Sequence, residues 1–294
     1  MTEFPAVIEV KNYKRMSKKE SITPFLKWVG GKRQIISSIL ELLPSAIDSA
    51  TYIEPFIGAG ALFFYLQPRK AIINDFNRDL INVYRVIKEK PDELIEDLKK
   101  HRNEHDYFYK IRGMDRKKHF GHLTVVEKAS RLIYLNKTCF NGLYRVNRAG
   151  EFNVPYGRYK NPNIVNETAI RAASQYLNAN QIELENADFE VVLKKADKNS
   201  FFYLDPPYHP LSFSSNFTGY ISGGWGKDDQ YRLKSACDDL DHRGIKFLLS
   251  NSSADFILDI YKEYKITTVK AIRAINSSGD KRGKIDEVLI RNYE

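Results

Sequence analysis

Short apolar segments alternate with longer amphipathic ones at both ends of this chain, while the middle third carries helical periodicity alone. Segments 51–54 and 71–74 read as strands, and so do 201–204, 245–249, 266–269 and 287–290. Helices are expected at 228–243 and near 254–261, with Gly244 in the position just past a helix end. In the middle, Leu80, Val83, Tyr84 and Ile87 share one helical face, as do Val125, Ala129, Leu132 and Ile133. Strands in alternation with helices imply a parallel or mostly parallel sheet covered on both faces. The expectation is an α/β chain in which 21–76 and 181–294 build one sheet domain, with 77–180 a helical insertion between its halves. Residues 1–20, with Lys11, Lys14, Arg15, Lys18 and Lys19, read as a basic tail.

The bulk of the chain narrows the classes further. Its 294 residues, 43% hydrophobic and 28% charged, suit a folded soluble protein. No apolar run approaches the ~18 residues of a membrane span, and the N-terminus lacks the apolar core of a signal peptide. Cys139 and Cys237 form no CxxC pair, which fits a reducing cytoplasm and argues against a zinc ribbon or disulfide framework. His101 and His105 lack a third ligand nearby in sequence, so no metal is expected. The net charge of +9 favours a polyanionic partner.

Two glycines, Gly58 and Gly60, follow the first strand in Glu54-Pro55-Phe56-Ile57-Gly58-Ala59-Gly60 and open a helix. Without Cβ atoms they allow a tight turn and close approach to a ligand, although a packing turn would use them too. Asp75 ends the next strand, where a carboxylate accepts hydrogen bonds from ribose hydroxyls. Phe63 takes the place of a dinucleotide fingerprint's third glycine, which favours an adenosine cofactor other than a nicotinamide. Upstream, Lys27-Trp28-Val29-Gly30-Gly31-Lys32 combines a bendable backbone, a cation and the apolar wall of Trp28.

The sharpest signal is Asp205-Pro206-Pro207-Tyr208, directly after the apolar run 201–204. Consecutive prolines cannot continue a ladder, so Asp205 marks the carboxyl edge of a strand, where open α/β sheets bind ligands. Such a corner suits methyl transfer to a planar amino group such as N6 of adenine. The nitrogen lone pair is delocalised into the ring. A carboxylate and a proline-held carbonyl that accept its two hydrogens favour a pyramidal nitrogen and stabilise its developing positive charge. Tyr208 offers a flat face to an extruded base.

Between Lys137 and Lys160 lie five basic residues against the single acid Glu151, with Phe140, Tyr144, Phe152, Tyr156 and Tyr159 interleaved. Basic and aromatic residues on a hairpin, expected over 139–162, suit phosphate contact, base readout and wedging into a stack. The loop Gly279-Asp280-Lys281-Arg282-Gly283-Lys284 is a second candidate for phosphate contact.

These motifs together resemble the Dam-type family of DNA adenine-N6 methyltransferases, which includes the GATC-modifying enzymes of DpnII- and MboI-like restriction systems. The resemblance covers residues 24–293 and rests on KWVGGK at 27–32, EPFIGAGALFF at 54–64, NDFNRDLI at 74–81, CFNGLYRVNRAGEFNVPYGRYKNP at 139–162 and DPPY at 205–208. It implies a Rossmann-like fold, S-adenosylmethionine as methyl donor, double-stranded DNA as substrate, a helical target-recognition domain and a monomer in a bacterial cytoplasm. It also implies a role beside a cognate endonuclease that it does not contact. By the same resemblance Trp28, Lys32, Gly58, Gly60, Asp75, Asp188 and Asp205 would hold the cofactor. Asp205, Pro206, Pro207 and Tyr208 would carry the catalysis. Lys27, Phe140, Asn141, Leu143, Arg145, Pro155, Arg158 and Tyr159 would meet DNA, with Lys27 approaching from the side opposite the hairpin. The same tetrapeptide chemistry would serve an RNA adenine or a protein glutamine, and a DNA-binding module with an idle cofactor site is a third reading. The basic hairpin argues against glutamine, and the narrow major groove of RNA against RNA.

Overall fold

The computed structural model describes residues 22–28, 32–211, 224–272 and 284–294. The basic tail, Val29, Gly30 and Gly31, and all of the 279–284 loop before Lys284 lie outside the described residues. In chain order the elements are α1 (Ile36–Leu42), β1 (Thr51–Glu54), α2 (Ala61–Leu66), β2 (Lys70–Asn74), α3 (Arg78–Glu89), α4 (Pro91–Lys99), α5 (His105–Arg112), α6 (Val125–Thr138) and α7 (Glu167–Ala179). They continue with β3 (Gln181–Glu185), α8 (Phe189–Leu193), β4 (Ser200–Leu204), α9 (Lys227–His242), β5 (Lys246–Ser252), α10 (Asp255–Ile260), β6 (Lys265–Ile272) and β7 (Lys284–Arg291).

The seven strands form one sheet in the order β3-β2-β1-β4-β5-β7-β6. The first five positions are parallel, and β7 runs antiparallel between β5 and β6. Strand residues alternate between two cores, as a period of two requires. Tyr52, Phe201 and Tyr203 face the layer that holds α2, α3, α4, α6 and α7. Ile53, Phe202 and Leu204 face α8, α9 and α10. This is the Rossmann-like α/β fold expected, and every assigned strand is present. The edge strand β3 was not among them. Its pattern Gln-Ile-Glu-Leu-Glu hides one apolar face behind two acids, Glu183 and Glu185, which both pair with Lys195 at 2.5 Å on the solvent side.

The helical third packs on the first core. α6 opens with a capping box, in which Thr124 and Glu127 exchange side-chain and backbone hydrogen bonds. It is then buried without a break from Ala129 to Thr138. The segment after it folds back as expected, but as an irregular hairpin. Two isolated antiparallel bridges, Cys139↔Tyr156 and Val146↔Phe152, replace a continuous ladder. Left-handed backbone at Asn141 and the proline at 155 interrupt the pairing. Among the described residues no helix is long and apolar enough to cross a membrane.

Asn74, at the end of β2, joins the carboxyl ends of three neighbouring strands. Its amide donates to the Pro55 carbonyl at 2.9 Å and the Ala187 carbonyl at 3.1 Å, and its oxygen accepts the Ala187 N–H at 2.8 Å. Asn74→Ala strands these buried backbone groups, and urea unfolding is expected to show a loss of about 2–4 kcal/mol with an unchanged m-value.

Candidate active site

β1 delivers the chain to Glu54, and the turn that follows is shaped by two left-handed glycines, Gly58 (φ 50°) and Gly60 (φ 69°). A Cβ would lie 2.8 Å from Trp28 Cδ1 on the first and 2.7 Å from the Tyr84 hydroxyl on the second, so a side chain fits at neither. The Gly58 N–H donates to Asp75 Oδ2 at 3.1 Å, and the Tyr84 hydroxyl donates to the Gly58 carbonyl at 3.0 Å. Asp75 thus braces the turn from the end of β2. Its other oxygen accepts the Asn77 N–H at 2.9 Å, and Asn77 itself caps α3. Burial pushes the Asp75 carboxyl up to about 6, with the two amide donors working against the rise. Phe76, next in the chain, leaves its ring 57% exposed at this edge.

Lys32 and Asp205 meet at 2.9 Å, their side chains 5% and 21% exposed. Burial works against the Lys32 ammonium, but Asp205, Tyr203 and Glu287 outweigh it and hold its pKa above the ordinary lysine range. Glu54 lies close enough to feel Asp205, Lys32 and Asp75 together. Burial lifts its carboxyl well above the usual range, opposed by the Tyr52 hydroxyl that donates to it at 2.6 Å. The glycine turn, Asp75, Lys32 and Asp205 are therefore gathered at one place, the carboxyl edge of β1, β2 and β4.

The loop after β4 is fastened almost atom by atom. Asp205 Oδ1 accepts both Lys32 and the Ser250 hydroxyl, the latter at 2.9 Å. The Pro207 carbonyl accepts Gln230 Nε2 at 3.0 Å, and Gln230 is in turn held by Asn251 at 3.1 Å. The His209 N–H donates to Asn251 Oδ1 at 3.2 Å, and its carbonyl accepts the Ser252 hydroxyl at 2.6 Å. The Tyr208 hydroxyl donates to Glu287 at 2.9 Å, and the Lys32 ammonium sits 4.4 Å from the centre of its ring. Among the described residues, Asp205 Oδ2 and the Pro206 carbonyl accept no such bond.

Asp188 occupies the N-cap of α8, where its Oδ1 accepts the Glu190 N–H and pairs with Arg232, both at 3.0 Å. On the other side of the glycine turn, Trp28 packs against Gly58 and stacks on Tyr144 of the hairpin at 5.4 Å. Lys27 is bound through both backbone groups to the Asn136 side chain, at 2.9 and 2.7 Å. Its ammonium lies over the Tyr159 ring at 4.4 Å. Lys27 therefore lies beside the hairpin in the folded chain. Phe140, Asn141, Pro155 and Arg158 are exposed, and Tyr159 is half-buried. Arg145 is oriented by Asn153, whose side-chain and backbone oxygens accept its Nε at 2.7 Å and one terminal nitrogen at 3.3 Å. Leu143 does not join this surface: only 7% exposed, it packs in the core because the turn at residues 140–142 directs it inward.

The model of the D12 class of N6 adenine-specific DNA methyltransferases matches residues 28–275. The chain belongs to that family. The type II methyltransferase M1.LlaDCHI of Lactococcus lactis subsp. cremoris is 45% identical over 94% of this chain and 97% of its own length. The type II methyltransferase M.MjaIII of Methanocaldococcus jannaschii is 45% identical over 92% of this chain and 99% of its own. The DNA adenine methylase of Vibrio cholerae is 34% identical over 90% and 94%. The chain is thus an adenine-specific DNA methyltransferase, and DNA is its substrate.

Several residues of the methyltransferase's site escape a reading by motif. Gln230, Ser250, Asn251, Ser252 and Glu287 come from α9, β5 and β7 and meet the tetrapeptide loop only in the folded chain. The polar run Ser250-Asn251-Ser252, buried at the end of β5 after the apolar Phe247–Leu249, is a local signal that could have marked the three residues from β5. Among the described residues no cluster of three or more His, Cys, Asp or Glu side chains is placed to hold a metal ion. A cavity of about 500 Å³ among Asp238, His242, Glu263 and Arg291 opens at the amino edge of the parallel strands, away from this chemistry.

Lys32→Met removes the cation that opposes burial at Asp205. The Asp205 carboxyl is expected to titrate at higher pH in that variant than in the wild type, followed by NMR of ¹³C-labelled aspartate. An unchanged titration contradicts the pairing.

Proposed function

We propose that the methyltransferase takes its methyl group from S-adenosylmethionine, bound at the glycine turn, and places it on the N6 of an adenine swung out of duplex DNA, within GATC. The observation that carries this reading is that Asp205 Oδ2 and the Pro206 carbonyl are without a donor among the described residues, in a loop held in place through Asp205 Oδ1 and the Pro207 and His209 carbonyls. An amino group has two hydrogens, and two fixed acceptors at one corner meet both. The proline pair and the Gln230, Asn251 and Ser252 bonds keep the two in register, so little reorganisation remains when charge develops on nitrogen. Tyr208 supplies the stacking face.

The residues present fit the cofactor. A carboxylate at the end of β2 suits ribose hydroxyls, the exposed Phe76 ring suits the adenine face, and the glycine turn leaves backbone uncovered. S-adenosylmethionine supplies an electrophilic methyl group on a sulfonium sulfur. Trp28 walls the site, Lys32 balances carboxylate charge, and Asp188 keeps Oδ2 for the adenine amino group while Oδ1 caps α8.

Residues 77–180 serve as the target-recognition domain in this reading. Lys27, Phe140, Asn141, Arg145, Pro155, Arg158 and Tyr159 form its DNA-facing edge, and Leu143 supports them from within. With Asn153 holding one edge of its guanidinium, Arg145 presents the remaining donors as a fork suited to the O6 and N7 of guanine. The GATC target is what the resemblance to the GATC-modifying enzymes implies, and the type II names of two similar proteins support a protective role in a restriction–modification system. We place the enzyme in the cytoplasm as a monomer that need not touch the endonuclease.

Sequencing of DNA co-expressed with the enzyme, with a readout for N6-methyladenine, is expected to show methylation at the adenine of GATC. Asp205→Ala is expected to lower the methylation rate by roughly 10²–10³-fold or more while the enzyme still binds duplex DNA. Methylation elsewhere overturns the target, and near-normal turnover of the variant overturns the role of Asp205.

Asp75 adds a pH signature. Ribose hydroxyls donate to its ionised form, which is lost as pH falls through about 6. Calorimetry should therefore find S-adenosylmethionine affinity level above pH 7 and falling, by up to about tenfold per unit, below 6. An affinity level down to pH 5 removes Asp75 from the ribose.

A further inference from the structure

A tyrosine ring can act as a stacking platform only if its plane is held, and proline-fixed backbone at one end leaves rotation of the ring itself unopposed. β7 enters the sheet antiparallel to β5 in a register that sets Glu287 opposite Ser252, at the same edge as Asp205. From there Glu287 accepts the Tyr208 hydroxyl at 2.9 Å. The Lys32 ammonium lies 4.4 Å from the ring centre and is tethered to Asp205 at 2.9 Å. The ring is thus pinned at its hydroxyl and backed by a cation.

We propose that Glu287 is a positioning residue for the target adenine: by accepting the Tyr208 hydroxyl it fixes the ring plane against Lys32 and leaves the opposite face for the extruded base. The inference rests on the reading of Tyr208 as the base platform. A carboxylate at 287 works against the ionisation of Asp205 and supports the Lys32 ammonium, so its charge is balanced by the same cation that backs the ring. A bond to a charged acceptor is stronger and more directional than one to a neutral group, which suits a clamp.

Methylation of a duplex that the wild-type enzyme modifies is measured under single turnover for Glu287→Ala, Glu287→Gln, Tyr208→Phe and Tyr208→Ala, together with KM for DNA. The fluorescence of 2-aminopurine at the target position is recorded for each. Glu287→Ala and Tyr208→Phe, which break the same bond from its two ends, are expected to lower the rate by a similar factor of roughly 10 to 100. The double variant falls no further, KM for DNA stays within about threefold, and Glu287→Gln, which still accepts the hydroxyl, recovers most of the loss. A normal rate in Tyr208→Phe, additive losses in the double variant, or no recovery in Glu287→Gln overturns the inference and leaves the platform reading standing. That reading fails instead if Tyr208→Ala keeps a normal rate and fluorescence. Should Glu287→Ala not fold, Tyr208→Phe and Glu287→Gln decide.

Discussion

An ammonium and a carboxylate 2.9 Å apart, both largely withdrawn from water, are an expensive way to stabilise a fold, because the desolvation of each ion offsets much of their attraction. The Lys32–Asp205 pair makes sense as an arrangement of charge. It keeps one oxygen of Asp205 occupied at the edge where β1, β2 and β4 end. The rest of the sheet is arranged to make that edge possible. Parallel strands bring their carboxyl ends together, Asn74 ties three of the following loops, and the end of β5 supplies polar side chains where its partners are still apolar. Loss of Lys32 would leave the Asp205 carboxylate buried without its cation, which is why the site and the local fold are not separable here.

Much of this was legible in the sequence. The strand–helix alternation led to the correct class, and the tetrapeptide after β4 led to the correct edge, because a double proline after an apolar run has few places to go. Gly58 and Gly60 mark the turn after β1 for a like reason: the left-handed backbone they adopt leaves a trace in residue type. β3 escaped because an edge strand with one solvated face looks like a charged loop. Glu287 escaped because nothing local distinguishes an acid that faces the site from one that faces water.

The hairpin was legible in content but not in placement. Charge and aromatic residues marked the 139–162 segment, yet periodicity cannot tell which of its residues point inward, and Leu143 turned out to be core. The segment holds its form through side chains rather than a ladder. Asp115 accepts the Phe152 N–H at 2.8 Å while Arg116 donates to the Phe152 carbonyl at 2.9 Å, and Asp115 is itself paired with the buried Arg131 of α6. Consecutive residues of opposite charge thus capture both backbone groups of one hairpin residue, a device that leaves no signature in composition.

The helical third shares the first core with the sheet, and a few polar and aromatic contacts add to that core at the strip before Lys32. Asn136, buried on α6, donates to the carbonyls of Lys27 and Gly142 and accepts the Lys27 N–H, so one amide holds the strip before Lys32 to the hairpin's first turn. Trp28, next along that strip, touches the glycine turn on one side and stacks on Tyr144 on the other. A shift of the hairpin would therefore be felt, through Lys27 and Trp28, at the turn that Asp75 braces and four residues before Lys32. One asparagine and one indole thus link the hairpin to the glycine turn, beside the core that the two parts share.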